Sequence, residues 1–262
     1  MEVQQYRIKT AVVLPGGGAR GAFQVGVLKA LAEILPRGVP NPFPIISGTS
    51  AGAVNSVVLA TRARNLRTAI AELERVWAHF RCHHVYKTDH FTMLRSSLHW
   101  MASLVLGGWL VGMPRSLLDN APLRQLLQRN VHFPRIRDAI EAGHLEALAI
   151  TAAGYASARS TTFFEASPGT SGWERTRRIG VNTELGLDHL MASIAVPYVF
   201  PPTLVGDEFF GDGAMRQATP LSPAVHLGAD RILVIGIRDE TGGKEPASRH
   251  APPSFAQIAG YM

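Results

Sequence analysis

The sequence predicts an α/β fold, a three-layer α/β/α sandwich built on a mainly parallel central sheet. Strand-like and helix-like segments alternate along most of the 262 residues, which is typical of βαβ units. Segment 145–153 is almost continuously apolar, as expected for a strand that is covered on both faces. The apolar run 44–46 leads through a tight, glycine-containing turn into an apolar helical segment. The hydrophobic content of 46% suffices for the core of one large domain.

The individual elements follow from hydrophobic spacing and from turn residues. The first strand is expected at 8–14. A helix is expected at 22–35, because Phe23, Val27 and Ile34 recur at the spacing of a buried helical face. The further expected strands are apolar runs bounded by turn residues, at 44–46, 145–153, 161–166, 208–210 and 231–237. The further expected helices are 53–60, 65–80, 122–129, 135–142, 187–195 and 222–227.

Segment 82–114 differs in composition, since it is rich in histidine and aromatic residues and then becomes apolar. Residues 100–113 carry no charge, but these 14 residues are fewer than the roughly 20 that a membrane-spanning helix needs. Two interpretations remain open. One is a buried pair of helices interrupted at Gly107. The other is a lid or interfacial segment, with Trp100 and Trp109 at a membrane boundary.

The chain carries a formal net charge of +6, and most of its basic residues are arginines. They are scattered, and no zinc-finger or ribonucleoprotein motif accompanies them, so no nucleic-acid partner is expected. Attraction to anionic lipid head groups is an alternative to solvated helix faces. The single cysteine, Cys82, excludes an internal disulfide and fits a reducing compartment. The polar start lacks the pattern of a signal peptide. A cytoplasmic location is therefore expected, with peripheral membrane association left open.

Ser50 is the candidate nucleophile because it lies at the centre of the pentapeptide Gly48-Thr49-Ser50-Ala51-Gly52. A G-x-S-x-G sequence between a strand and a helix is typical of a nucleophile elbow. Gly48 and Gly52 lack a Cβ atom, which allows a turn tight enough to present the serine hydroxyl. The helix that begins at the turn directs its free N–H groups and its positive dipole end at the same point.

The glycine cluster after the first strand has two interpretations. Gly16, Gly18 and Gly21 satisfy the G-x-G-x-x-G spacing of a dinucleotide site, which would indicate an oxidoreductase. That site also needs an acidic residue about 20 positions later, at the end of the second strand. The second strand here runs into Ser50 instead, which argues against a nucleotide.

Anion binding by the backbone suits the same cluster better. The N–H groups of Gly17 and Gly18 can point at one oxyanion, with a helix N-terminus behind them. Acyl transfer requires such preorganised donors. Arg20 would add positive charge for the oxyanion or for a substrate phosphate; the alternative is an ordinary surface arginine.

No histidine has the loop context of a general base. His226 follows Ser50 in the chain, but it lies within a helical segment rather than at a loop tip. Five of the ten histidines fall within 79–99. Together with Cys82 they fit no structural zinc pattern, so no metal site is expected.

Asp212 is the candidate base. It stands between Gly211 and Gly213 after a strand-like run, on a turn that would hold its carboxylate at the same sheet edge as the elbow. A Ser–Asp dyad would then operate, with Asp212 accepting the serine proton. The alternative is a common Asp-Gly hairpin turn.

Three motifs in this order resemble the patatin-like phospholipase family, whose pattern is G-G-G-x-R/K-G, then G-x-S-x-G, then D-G-A/G. The matching segments are 16–21, 48–52 and 212–214, with softer similarities at 117–123, 192–197 and 200–202. The resemblance implies a domain at 7–238. We expect a variable helical, lid-like insertion in it at about 82–114. We also expect a C-terminal extension at 239–262 that is truncated within a helix.

By that resemblance, Ser50 is the nucleophile and Asp212 the general base of a dyad without histidine. Gly17 and Gly18, with Ala19, would form the oxyanion hole. The implied activity is hydrolysis of acyl esters of phospholipids, lysophospholipids or neutral glycerolipids at a membrane surface, without metal or other cofactor. The rival hypothesis is a catalytically idle lipid-binding module that uses the apolar segment 98–113 and the basic faces.

Overall fold

The computed structural model describes residues 8–38, 41–79, 85, 116, 118–216 and 220–237. Apart from Val85, the insertion expected at 82–114 lies outside the described residues, and so does the extension expected at 239–262. Among the helices that are described, none combines the length and the apolar character needed to cross a membrane.

Nine strands form one mixed sheet among the residues that the structure describes. They are β1 (Thr10–Leu14), β2 (Ile45–Thr49), β3 (Ala147–Gly154), β4 (Ser160–Ala166), β5 (Trp173–Arg175), β6 (Arg178–Asn182), β7 (Thr203–Val205), β8 (Glu208–Asp212) and β9 (Arg231–Val234). The main path runs in the order β5-β6-β4-β3-β2-β1-β9, and β8 and β7 are added beside β3. The four strands β9, β1, β2 and β3 are mutually parallel. The expected α/β fold with a parallel centre is confirmed.

Seven α-helices surround the sheet in the described part of the chain. They are α1 (Gly21–Ile34), α2 (Ala51–Thr61), α3 (Leu66–His79), α4 (Ala121–Asn130), α5 (Pro134–Glu141), α6 (Leu187–Ser193) and α7 (Ser222–His226). Alternating side chains of the parallel strands divide between two cores. Val12, Leu14 and Ile46 belong to the larger core with α1 to α6. Val13 and Ile45 face the smaller one with α7.

The buried face of α1 differs from the expected one. Phe23 and Ile34 are 61% and 79% exposed, whereas Gln24, Val25 and Leu28 are buried. The expectation followed hydrophobicity alone, and it was wrong because the amide of Gln24 is fully hydrogen-bonded inside the protein. The helix expected at 65–80 is present as α3, and its apolar residues Leu66, Ile70 and Leu73 are buried.

Three strands were not expected from the sequence. β5 and β6 are mostly exposed and polar, so they show no run of apolar residues. β7 has only three residues and pairs with β8 in a hairpin. The helix expected at 187–195 ends at Ser193, and the residues after it turn towards β8.

Candidate active site

Ser50 lies at a sharp turn between β2 and α2. Its backbone has φ 55° and ψ −128°, a region that side-chain-bearing residues rarely adopt. The neighbouring glycines are required by close packing. A Cβ atom on Gly52 would lie 1.9 Å from the carbonyl oxygen of Leu14, and one on Gly48 would lie 2.5 Å from the carbonyl oxygen of Gly52. The elbow predicted from the sequence is therefore present.

Strand pairing brings Asp212 to Ser50. β4 occupies one edge of β3, so β2 and β8 share the other edge. β2 is parallel to β3 and ends with Thr49 opposite Thr151. β8 is antiparallel and ends with Asp212 opposite Ala152. The carboxyl ends of the two strands therefore meet head-on, and the residues there face one another.

The Ser50 hydroxyl donates a hydrogen bond of 2.5 Å to Oδ2 of Asp212. The other carboxylate oxygen, Oδ1, accepts a hydrogen bond of 2.8 Å from the backbone N–H of Ala214. Both side chains are buried, with 7% of Ser50 and 3% of Asp212 exposed. Burial raises the pKa of Asp212 above its usual value, although the hydrogen bonds from Ser50 and Ala214 act in the opposite direction. A buried carboxylate with a raised pKa is a stronger base, and it is in contact with the hydroxyl it would deprotonate.

The end of α6 holds the backbone of both residues. The N–H of Ser50 donates to Oγ of Ser193 at 2.9 Å, and that hydroxyl donates to the carbonyl oxygen of Thr151 at 2.7 Å. The N–H of Asp212 donates to the carbonyl oxygen of Ala195 at 2.8 Å. Ser193 is fully buried. Ser193 was not anticipated from the sequence, although it lies in segment 192–197, which carried one of the softer similarities.

The glycine-rich segment passes over the elbow. Gly16 approaches most closely, because a Cβ atom there would lie 2.8 Å from Cβ of Ser50. Ile237 covers Gly17, because a Cβ atom on Gly17 would lie only 1.5 Å from Cδ1 of Ile237. Gly18 has φ 57° and begins a single 3-10 turn, Gly18–Arg20, which leads into α1. Ala19 and Arg20 in this turn are exposed. The segment that borders Ser50 therefore contains the site residues predicted from the sequence, namely Gly17, Gly18, Ala19 and Arg20.

A tyrosine beside Gly211, the residue before Asp212, was not anticipated from the sequence. The hydroxyl of Tyr155 would lie 2.5 Å from a Cβ atom on Gly211. Burial raises the pKa of Tyr155, and Tyr198 and Asp212 act in the same direction. The phenol therefore lies beside Gly211, the residue that precedes Asp212 on β8. No motif marks Tyr155, so the sequence alone offers no signal for it.

The histidines considered from the sequence are engaged elsewhere. The ring of His226 stacks on Trp173 with a centroid distance of 4.8 Å. Burial lowers its pKa, and Arg175 and Arg178 contribute. Nδ1–H of His79 donates a hydrogen bond of 2.8 Å to the carbonyl oxygen of Arg75 within the last turns of α3. The other histidines of the 79–99 group lie outside the described residues.

Known proteins share the sequence pattern of this chain. A stretch of 60 residues is 50% identical to mouse patatin-like phospholipase domain-containing protein 7, and covers 23% of this chain and 4% of that protein. A stretch of 52 residues is 54% identical to lysophospholipase nte1 of Aspergillus terreus, and covers 20% of this chain and 3% of that protein. The matched stretches are thus small parts of much longer relatives.

Solved structures with a similar chain course include VipD from Legionella pneumophila, at 16% identity and a TM-score of 0.47, over 80% of this chain and 46% of VipD. Another is human GIVD cytosolic phospholipase A2, at 15% identity and a TM-score of 0.37, over 84% of this chain and 32% of that one. The sequence profile described as patatin-like phospholipase matches residues 12–225, which is most of the chain. The chain belongs to the patatin-like phospholipase family.

Proposed function

We propose that this protein is a serine lipid acyl hydrolase that cleaves the carboxylic ester bonds of phospholipids or lysophospholipids. Ser50 is the nucleophile and Asp212 the general base. The observation that carries the proposal is the buried hydrogen bond of 2.5 Å between their side chains. Family membership and the name of the fungal lysophospholipase support the same class of substrate.

In the acylation step, Oγ of Ser50 attacks the ester carbonyl carbon while its proton passes to Oδ2 of Asp212. The tetrahedral intermediate collapses, the ester C–O bond breaks, and Asp212 returns the proton to the leaving alkoxide. A water molecule then attacks the acyl-serine and gives its proton to Asp212. The collapse of the second intermediate releases the fatty acid and restores the Ser50 hydroxyl, so one water is consumed in each cycle.

The backbone N–H groups of Gly17, Gly18 and Ala19 stabilise the oxyanion in this proposal. The segment borders Ser50, as the position of Gly16 demonstrates. Removal of one such donor typically costs about 10²–10³-fold in kcat. Exposed Arg20 follows on the same turn. It is suited to a phosphate of the lipid head group or to support of the oxyanion, as a guanidinium binds phosphate well.

The substrate is expected at a lipid surface, where the protein would bind peripherally. The net charge of +6 favours anionic head groups. Several apolar side chains on segments next to Asp212 are exposed, namely Val196, Tyr198 and Met215. Such residues suit contact with lipid acyl chains or with a bilayer interface.

A fluorophosphonate probe separates the hydrolase from an idle lipid-binding module. The probe phosphonylates an activated serine with loss of fluoride, and we expect one adduct, on Ser50, by peptide mass spectrometry. Ser50→Ala must abolish labelling. Ser47→Ala is the matched control, because Ser47 lies on β2, the strand that leads into Ser50, and its buried hydroxyl makes no hydrogen bond within the described part of the chain. A folded protein that remains unlabelled would favour the idle module.

A further inference from the structure

Two buried amides connect the first two helices beside the candidate site. Nδ2 of Asn55 on α2 donates to Oε1 of Gln24 on α1 at 2.9 Å and to the carbonyl oxygen of Gly21 at 3.0 Å. Nε2 of Gln24 donates to the carbonyl oxygen of Pro15 at 2.8 Å and to that of Ile235 at 3.3 Å. Both side chains are fully buried. Their positions in the interior are thus maintained by hydrogen bonds rather than by apolar contact.

A tryptophan fixes the orientation of both amides. Nε1 of Trp77 donates to Oδ1 of Asn55 at 2.8 Å, and an indole N–H can only donate. Oδ1 must therefore be the acceptor, and Nδ2 supplies the two donors that reach Gln24 and Gly21. Oε1 of Gln24 is then an acceptor, so its Nε2 faces the two carbonyls. Every polar atom of the two amides has a partner, which makes the arrangement directional and mutually dependent.

Two of the three carbonyls that the pair binds lie at the two ends of the glycine-rich segment. Pro15 precedes Gly16, and Gly21 follows Arg20, so segment 16–20 is held at both ends. Asn55 lies on the helix that begins directly after Ser50. A Cβ atom on Gly21 would lie 2.9 Å from Trp77 and 3.2 Å from Cβ of Ala51. The connection therefore joins the elbow helix directly to the segment that passes over Ser50.

We propose that Gln24 and Asn55 are positioning residues that set the glycine-rich segment at its working distance from Ser50. This inference rests on the proposed hydrolase function and adds residues that touch neither substrate nor nucleophile. Transition-state stabilisation depends on donors placed to within a fraction of an ångström, and a shift of about 1 Å costs about 10²-fold. A segment held only by its own turn would not be fixed to that tolerance.

The test uses Gln24→Met, which keeps the length of the side chain and removes its hydrogen bonds. Two quantities are measured on a soluble short-chain ester: kcat and KM, and the inhibition constant of a trifluoromethyl ketone that forms a hemiketal oxyanion with Ser50. We expect kcat to fall about tenfold to a hundredfold and the ketone to bind weaker by a similar factor. KM should change less than about threefold, because the ground-state contacts are untouched.

Asn41→Ala is the matched control for a purely structural effect. Asn41 is also a buried amide, and it bonds both backbone groups of Phe43. Phe43 lies just before β2, at the end of that strand opposite to Ser50. We expect it to lower the melting temperature while kcat and the ketone affinity stay at wild-type values. If Gln24→Met likewise lowers only the melting temperature and leaves kcat and the ketone affinity at wild-type values, the positioning role is wrong.

Trp77→Phe provides a second variant in case Gln24→Met does not fold. It keeps an aromatic ring and removes the N–H that orients Asn55, together with the part of the indole that lies next to Gly21. We expect a smaller loss of kcat in the same direction, with a parallel loss of ketone affinity. Unchanged kinetics in Trp77→Phe would also overturn the proposal. A wild-type protein that hydrolyses no ester would instead refute the underlying hydrolase function.

Discussion

The strained backbone of Ser50 has a consequence for stability that separates two substitutions of the same residue. Both Ser50→Ala and Ser50→Gly remove the hydroxyl and its hydrogen bond to Asp212, so this loss cancels between them. Only Ser50→Gly also removes the Cβ atom that makes φ 55°, ψ −128° unfavourable. The comparison therefore isolates the backbone strain of the elbow.

The expected difference can be estimated from two opposing effects. Relief of a sparsely populated backbone conformation is worth about 1–3 kcal/mol. The greater freedom of glycine in the unfolded chain costs about 0.4–1 kcal/mol. Ser50→Gly should therefore be more stable than Ser50→Ala by about 1 kcal/mol in the free energy of unfolding. For a chain of this size that corresponds to about 2–4 °C in melting temperature.

The assay is urea unfolding followed by circular dichroism, with the midpoint and the slope fitted for both variants. Ala30→Gly serves as the control, because Ala30 is exposed within α1 and glycine there should cost about 1 kcal/mol. The strain is established if glycine is more stabilising than alanine at position 50 and less stabilising than alanine at position 30. If glycine lowers the stability at both positions by a similar amount, the elbow is not strained and the reasoning fails.

Three further predictions concern the same site. Because burial raises the pKa of Asp212, kcat/KM should fall with decreasing pH through a pKa above the usual carboxyl value, and Asp212→Asn should abolish turnover. At a pH above the pKa of Asp212 in the folded protein, the buried carboxylate is ionised, and this lowers the stability of the fold. Asp212→Asn should therefore raise the melting temperature in that pH range. At lower pH, where Asp212 is protonated, the substitution should leave the melting temperature unchanged. Ser193→Ala leaves the Ser50 N–H without its acceptor and the Thr151 carbonyl without its donor. It should cost about 1–3 kcal/mol in urea unfolding and slow fluorophosphonate labelling; full retention of both would contradict the anchoring role. Gly52→Ala should lower the urea midpoint sharply, because the added Cβ atom would clash with the carbonyl oxygen of Leu14. Gly26→Ala is the control. The added atom there meets nothing within 4 Å, so this substitution should raise the midpoint.

The elbow and the parallel centre of the fold could be predicted because their causes are local. Apolar runs determine the strands β1 to β3, and the glycines around Ser50 indicate a tight turn whatever the rest of the chain does. The approach of Asp212 to Ser50 was expected from the strand-like run that precedes Asp212. The strand pairing that causes this approach was not expected. β8 is antiparallel and shares an edge of β3 with β2, and no pattern within residues 208–212 indicates that pairing.

The supporting residues could not be predicted because their partners are distant in sequence. Ser193 is 143 positions from Ser50, whose backbone N–H donates a hydrogen bond to it. Gln24 bonds the carbonyl of Ile235, which is 211 positions away. A buried polar side chain in an amphipathic helix also conflicts with the hydrophobic pattern, which placed Phe23 inside and left Gln24 outside. Tertiary hydrogen bonds decided this face of α1, and only the structure contains them.

The release of fatty acid from phospholipids is the decisive measurement of whether Ser50 and Asp212 act as a catalytic dyad. Wild-type protein, Ser50→Ala and Asp212→Asn are each incubated with vesicles of mixed phospholipids and lysophospholipids, and free fatty acids and deacylated lipids are quantified by mass spectrometry. We expect the wild type to release fatty acid and neither variant to do so above the buffer control, while both variants retain the circular dichroism spectrum of the wild type. Turnover retained by either folded variant would contradict the dyad of Ser50 and Asp212.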